Sequence, residues 1–190
     1  PVVPMKLAST APTNRMPVLS TGLPRRLHAA RLRLAFASCQ RWEHGFYSAW
    51  ADAAQAAAWL DLLDHYARDP MGGGEPLSAF ARAHLVERLQ AQTGFHGALA
   101  WCEGSTVPVG LINCFAGFST FAAQPLLNIH DLVVRAEARG QGVGQALLDW
   151  AAQRALALGG CKLTLEVLAN NAPAMRAYAR AGFAPYTLDP

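Results

Sequence analysis

Leu132-Val133-Val134 runs through a short turn into Arg139-Gly140-Gln141-Gly142-Val143-Gly144, and a helical pattern follows at once. A strand that stops before a glycine-rich turn leaves successive backbone N–H groups pointing outward. A helix starting behind them adds the positive end of its dipole, so the turn is built to hold a phosphate anion. Glycine suits it because a Cβ would keep phosphate oxygens away from the N–H donors. Taken alone, Gly-x-Gly-x-Gly between strand and helix is also compatible with a tight structural turn. A Rossmann dinucleotide site fits poorly: Ala146 meets the third glycine position of G-x-G-x-x-G only in a shifted register, and a second βαβ half is absent from the pattern. No Lys with Ser or Thr follows the glycines, which excludes a P-loop.

Outward from this turn, Val143, Leu147, Ala151, Ala155 and Leu158 recur at helical spacing until Gly159-Gly160, which predicts a long amphipathic helix with a glycine cap. Residues 161–168 then alternate, with Leu163, Leu165 and Val167 on one face and Lys162, Thr164 and Glu166 on the other, as in a strand with one wet face. Asn171 can cap a last helix with Pro173 in its first turn and Gly182 at its end. Upstream, residues 31–37 make a plausible strand. Asp52 and Gln55 resemble a capping box ahead of Ala56, Trp59, Leu60, Leu63 and Ala67, a helix stopped by Pro70 and Gly72-Gly73-Gly74. A second helix starts near Ser78 and fades at Thr93-Gly94, and the stretches 97–103, 107–115 and 126–134 read as neighbouring strands. Residues 1–30, punctuated by Pro1, Pro4, Pro12, Pro17 and Pro24, read as an irregular arm. The class is α/β.

The run Asn171-Ala172-Pro173-Ala174-Met175-Arg176-Ala177-Tyr178-Ala179-Arg180-Ala181-Gly182-Phe183 has the form N-x-x-A-x-x-x-Y-x-x-x-G-F after a strand. This resembles the last motif of the GNAT superfamily of N-acetyltransferases, and the Arg139–Gly144 turn is similar to that superfamily's pyrophosphate-binding motif. Two motifs in the right order are more specific than either alone. The resemblance spans roughly residues 53–190, including the Asp69-Pro70-Met71-Gly72-Gly73-Gly74 loop and Asn128-Ile129-His130-Asp131. It implies a GNAT fold, a central mixed, mostly antiparallel sheet flanked by helices, with acetyl-CoA as donor and a primary amine of a small molecule or peptide as acceptor. It further implies that Val133 and Val134 offer backbone groups to the pantetheine arm and that Arg139, Gly140, Gln141, Gly142, Val143 and Gly144 hold the pyrophosphate. Asn171 joins them on the cofactor side, and Tyr178 sits near the departing sulfur.

Acetyl transfer to an amine needs a base and an acid on opposite sides of the thioester. Tyr178 suits the acid role, since a phenol with pKa of about 10 is protonated at neutral pH. Relatives often carry a Glu-Asp pair on the strand before the phosphate turn; here His130 takes the first place and Asp131 the second. His130 could take a proton directly or through water. Strand alternation puts Asp131 on the opposite face, as an amine-binding or water-orienting group. Glu166 is a weaker candidate, and Phe115, Phe118 and Phe121 are candidates for pocket lining or core. The missing Glu leaves a second reading open, a catalytically silent acyl-CoA-binding module.

The chain is 52% hydrophobic and 15% charged, against roughly 25% charged in ordinary soluble proteins, which excludes a disordered polyelectrolyte. Basic residues bunch at Arg25, Arg26, Arg31 and Arg33, and a solvated stretch is preferred there over nucleic-acid or membrane attraction. Cys39, Cys102, Cys114 and Cys161 are far apart, with neither C-x-x-C nor metal-ligand spacing, so we expect no disulfide, no metal and a reducing, cytoplasmic setting. No apolar run approaches the roughly 18 residues of a spanning helix, and no secretory block is evident near the start. Residues 32–52 resemble the opening of an alkaline phosphatase D type metallophosphoesterase, without the downstream Asp-rich and His-rich segments of a binuclear centre. We therefore expect residues 1–52 to be an atypical segment, from a fusion or a displaced start, ahead of an acetyltransferase domain at 53–190. Family members usually continue past Gly-Phe with a last strand. With only Ala184–Pro190 following, strand 161–168 is expected to have a bare edge that invites a homodimer.

Overall fold

The computed structural model describes residues 1–8, 32–38 and 53–186. In chain order the elements are β1 (Val2–Ala8), β2 (Leu32–Ser38), α1 (Ala53–Ala67), α2 (Ala79–Ala91), β3 (Phe95–Cys102), β4 (Gly110–Ser119), β5 (Gln124–Val134), α3 (Val143–Ala157), β6 (Lys162–Leu168), α4 (Ala172–Arg180) and β7 (Ala184–Pro185). A 3-10 turn, Ala136–Ala138, joins β5 to the glycine turn. The strands form one sheet in the order β2-β3-β4-β5-β6-β1-β7. Every neighbouring pair is antiparallel except β5 with β6, whose parallel pairing requires the crossover that α3 supplies.

Helix ends follow local chemistry. The Ser78 side chain accepts from the Ala81 N–H at 3.1 Å to start α2, and the Asn171 Oδ1 accepts from the Ala174 N–H at 3.2 Å to start α4. At the end of α3, Gly159 adopts φ +69° and the Gly160 N–H donates back to the Ala155 carbonyl at 2.8 Å. The apolar stripe of α3, Val143, Leu147, Leu148, Ala151, Ala152 and Ala155, is buried against one sheet face with Ala98, Ile112, Leu127, Leu163 and Leu165. The other face carries a second core of Trp59 and Leu62 from α1, Leu89 from α2, and Phe95, Leu99, Leu111 and Val133 from the sheet. Each such fully buried large side chain contributes about 1.5–3 kcal/mol. Gly97 lets this second core close, because a Cβ there would overlap the Trp59 ring.

Two expectations are corrected. The first eight residues are not an irregular arm: Val2–Ala8 pairs along its whole length with β6, from Val2 opposite Leu168 to Ala8 opposite Lys162. Alternation explains the pairing, since Val3, Met5 and Leu7 face the α3 core, with Met5 and Leu7 buried. The edge of β6 is consequently covered, and β7 adds outside β1 through Met5 with Pro185 and Lys6 with Ala184. The bare edge on which self-association was expected is absent. Asp52, read from sequence as the cap of α1, and Cys39 lie outside the described residues, as do the basic residues Arg25, Arg26 and Arg31.

Candidate active site

The glycine turn has the geometry its sequence suggests. Gly140 and Gly142 take φ of +76° and +84°, and Gly142 is the N-cap of α3 without any side-chain cap. The first hydrogen bond into the helix is from the Ala146 N–H to the Gly142 carbonyl, so among the described residues no group accepts from the N–H groups of Gly140 through Gln145. A Cβ placed on Gly140 or Gly142 would meet no protein atom within 4 Å. This is an open cradle of main-chain donors at a helix start, suited to an anion. Side chains brace it from outside: Gln141 Nε2 donates to the Glu137 carbonyl at 2.8 Å, and Arg139 Nε donates to the Val134 carbonyl at 3.1 Å. The Arg139 guanidinium also lies 3.8 Å from Asp69, tying the turn to the loop after α1.

Beside this cradle the sheet opens. β5 pairs with β6 only from Leu127 opposite Leu163 to Ile129 opposite Leu165, although β5 continues to Val134 and β6 to Leu168. The stretch His130–Val134 therefore faces a wedge on its β6 side. The Arg135 N–H donates to the Val109 carbonyl on the β4 side, so by alternation the main-chain groups of Val133 turn to β4 and those of Val134 to the wedge, where the Val134 carbonyl accepts from Arg139 Nε. Val133 itself is buried in the α1 side core, so its side chain is structural.

At the mouth of the wedge, the ladder between β4 and β5 slips: Cys114 is opposite Ile129, and Asn113 is opposite Asp131. His130 is the extra residue of a bulge, which sets two consecutive side chains on one face. The His130 ring meets Phe115 edge-on at 5.5 Å, while Asp131 Oδ2 accepts from Asn113 Nδ2 at 2.9 Å. Asn113 and Phe115 share a face of β4, so the expected opposition of His130 and Asp131 does not hold. Both look toward α1, His130 exposed and Asp131 half-buried.

Opposite them stands Tyr66 of α1. Burial, then the carboxylates of Asp131 and Asp69, push its phenol above the ordinary value. Tyr178 is buried on α4, and its phenol is pushed up to about 12, by burial first and then by Tyr66. Although Tyr66 and Tyr178 come from helices on opposite sheet faces, they interact electrostatically through the opening. Both remain neutral donors at physiological pH. The adjacent Cys114 thiol is raised by burial and then by Asp131, which keeps it protonated and inert as a nucleophile. The loop bearing Asp69 is pinned by Asp64, which accepts from Arg68 Nε at 2.9 Å, the Leu77 N–H at 2.9 Å and Arg82 at 3.0 Å. The Arg68 hydrogen bond leads in holding the Asp64 carboxyl below its ordinary range, against the opposing effect of burial.

The fold thus brings His130, Asp131 and Tyr178 to one opening, with Val133, Val134 and the 139–144 turn along its side. Asn171 uses its Oδ1 to cap α4. Glu166 is exposed on β6, opposite Pro4 of β1. Phe115 is half-buried near His130, whereas Phe118 and Phe121 project from the β4–β5 hairpin, 61% and 105% exposed, and line nothing at the opening. Tyr66 and Asn113 carry no local signal of this placement in the sequence. Tyr66 looks like one more apolar position of α1, and Asn113 is a lone polar residue in an apolar strand, a signal of buried function only when its cross-strand partner is known. Among the described residues no group of three or more His, Cys, Asp or Glu could hold a metal ion, and no helix is long and apolar enough to cross a membrane.

A model of the acetyltransferase (GNAT) family matches residues 56–183. Streptothricin acetyltransferase of Streptomyces lavendulae is 44% identical over 75 residues, and the match spans 40% of this chain and 40% of that relative's length. Among solved structures, an aminoglycoside acetyltransferase from an uncultured soil metagenomic sample, in complex with sisomicin, superposes with TM-score 0.62 at 17% identity, covering 84% of this chain and 91% of the other. AAC(6')-Iy in complex with a bisubstrate analog, CoA-S-monomethyl-acetylneamine, does so with TM-score 0.64 at 11% identity, covering 84% and 95%. At these identities the structural likeness is one of fold.

Proposed function

Because the chain belongs to the acetyltransferase (GNAT) family, we propose that it transfers an acetyl group from acetyl-CoA to a primary amine of a small molecule or peptide. The observation that carries this reading is the row of N–H groups from Gly140 to Gln145, unpaired among the described residues, beside the β5–β6 wedge. In this reading the main chain from Gly140 to Gly144 holds the pyrophosphate, with Arg139 bracing the turn, and Val134 directs the pantetheine arm along the wedge. Asn171 lies on the cofactor side through the start of α4.

At the mouth, Asp131 binds the acceptor ammonium, and His130, exposed beside it, passes the released proton to water. The amine nitrogen then forms a bond to the thioester carbon as the carbon–sulfur bond breaks, the nitrogen loses its second proton by the same path to water, and the departing CoA thiolate is protonated from solvent. Tyr178 donates a hydrogen bond to the leaving sulfur. With the phenol at about 12 and an ordinary thiol near 8.5, the proton stays on Tyr178, which stabilises the thiolate without ionising. The clustering of Asp131 and Asp69 around Tyr66 favours a cationic acceptor. The wide sequence separation of Cys39, Cys102, Cys114 and Cys161 favours a reducing, cytoplasmic setting.

The test is thiol release from acetyl-CoA with a panel of primary amines that includes streptothricin and sisomicin, alongside direct measurement of acetyl-CoA affinity. Turnover with any amine supports the transferase. Tight binding with no turnover on any of them supports a silent acyl-CoA-binding module instead.

A further inference from the structure

Asn113 lies on β4 opposite Asp131, at the step where the ladder resumes after the His130 bulge, and it is 2% exposed. Its Nδ2 donates to Asp131 Oδ2 at 2.9 Å. An ionised carboxylate can only accept, so the amide must turn its NH2 toward Asp131. That orientation leaves the Asn113 Oδ1 buried with no hydrogen-bond partner. On the same strand face, its neighbours Leu111 and Phe115 belong to the apolar core under α1. A leucine at 113 would continue that core and remove an unsatisfied buried acceptor, so packing alone does not favour the amide. What the amide supplies is one fixed donor to a carboxylate at the mouth of the wedge.

We propose that Asn113 is a positioning residue for the acceptor: by holding one oxygen of Asp131, it presents the other to the ammonium group of the incoming amine. The proposal rests on the reading of Asp131 as the amine-binding carboxylate. The second oxygen, Oδ1, receives no hydrogen bond from any described residue, and Asp131 is half-buried at the opening. Tyr66 lies near enough to feel both Asp131 and Asp69, so a carboxylate released from Asn113 can turn toward that phenol. Fixing the carboxylate beforehand spares the encounter complex this reorganisation.

The test compares Asn113→Leu, Asp131→Asn and the double variant with the wild-type chain, using as acceptor each amine of the panel, streptothricin and sisomicin among them, that the wild-type chain acetylates. Asn113→Leu should raise the acceptor KM about tenfold, the scale of one lost hydrogen bond to a charged group. The KM for acetyl-CoA should be unchanged and the thermal midpoint equal or higher. In the Asp131→Asn background the leucine should add less than about twofold, because Asn113 acts through Asp131. Asn113→Ala, which introduces no bulk, should show the same KM pattern if the leucine variant folds poorly. An unchanged acceptor KM, a parallel rise in the acetyl-CoA KM, or a full additive effect in the double variant would overturn the proposal. A wild-type chain that acetylates no amine of the panel would overturn the transferase reading itself, and that result is visible before any variant is made.

Discussion

Tyr178 reaches the opening from the face opposite Tyr66, and its burial makes it a donor that does not ionise in the working range of pH. Tyr178→Phe should lower kcat at least about tenfold, the scale of one charge-assisted hydrogen bond to the leaving sulfur. Acetyl-CoA affinity should stay at the wild-type level. Steady-state kinetics with calorimetric binding checks this, and an unchanged kcat would remove Tyr178 from the reaction. Gly142 tests the other end of the cofactor path. At φ +84° a β-branched residue is strained, and its side chain would stand where the cradle is open. Gly142→Val should abolish acetyl-CoA binding, whereas wild-type affinity would refute the phosphate assignment. Both residues could be read from sequence, because glycine spacing and the N-x-x-A-x-x-x-Y pattern are local. Asn113 and Tyr66 could not, since their meaning lies in partners on other elements.

Elements were legible wherever periodicity is local. The helices α1, α2, α3 and α4 begin and end within a few residues of the positions their caps and glycines indicate. The bulge at His130 escaped notice because a period of two gives no sign of an extra residue, and it reversed the facing of Asp131. β1 escaped for a related reason. Pro1 and Pro4 suggested irregular chain, while the partner that makes Val3, Met5 and Leu7 a strand face is more than a hundred residues away in β6. In the sheet β1 holds the place next to β6, between it and β7. Removing residues 1–8 should therefore lower the thermal midpoint, because Met5 and Leu7 are 2% and 4% exposed and each is worth about 1.5–3 kcal/mol. It should also bare the β6 edge and promote self-association. Calorimetry and sedimentation of the truncated chain check this, and an added peptide of residues 1–8 should restore the midpoint. An unchanged midpoint without the peptide would show that β1 contributes nothing to the sheet.

At the scale of the whole molecule, a polar pair, the buried His96 of β3 and Arg154 of α3, joins the sheet to the helix that crosses it. His96 is fully buried and its Nδ1 accepts from Arg154 Nε at 3.2 Å, so burial first and then Arg154 hold its pKa down to about 4. In the unfolded chain the imidazole titrates near 6.5, so between these values the unfolded state binds more protons. The stability of the neutral His96 is fully present above pH 6.5 and is lost progressively as pH falls toward 4. The thermal midpoint should decline across that window, and His96→Gln, which keeps an acceptor for Arg154, should flatten the decline. An identical pH dependence in the variant would show that His96 is not its source.

The account as a whole depends on where the diphosphate of the donor sits. A crystal structure with CoA bound is the most direct measurement. We predict the diphosphate oxygens within hydrogen-bonding distance of main-chain N–H groups between Gly140 and Gln145, with the pantetheine arm along Val134. A diphosphate held elsewhere, with those N–H groups facing only solvent, would contradict the account.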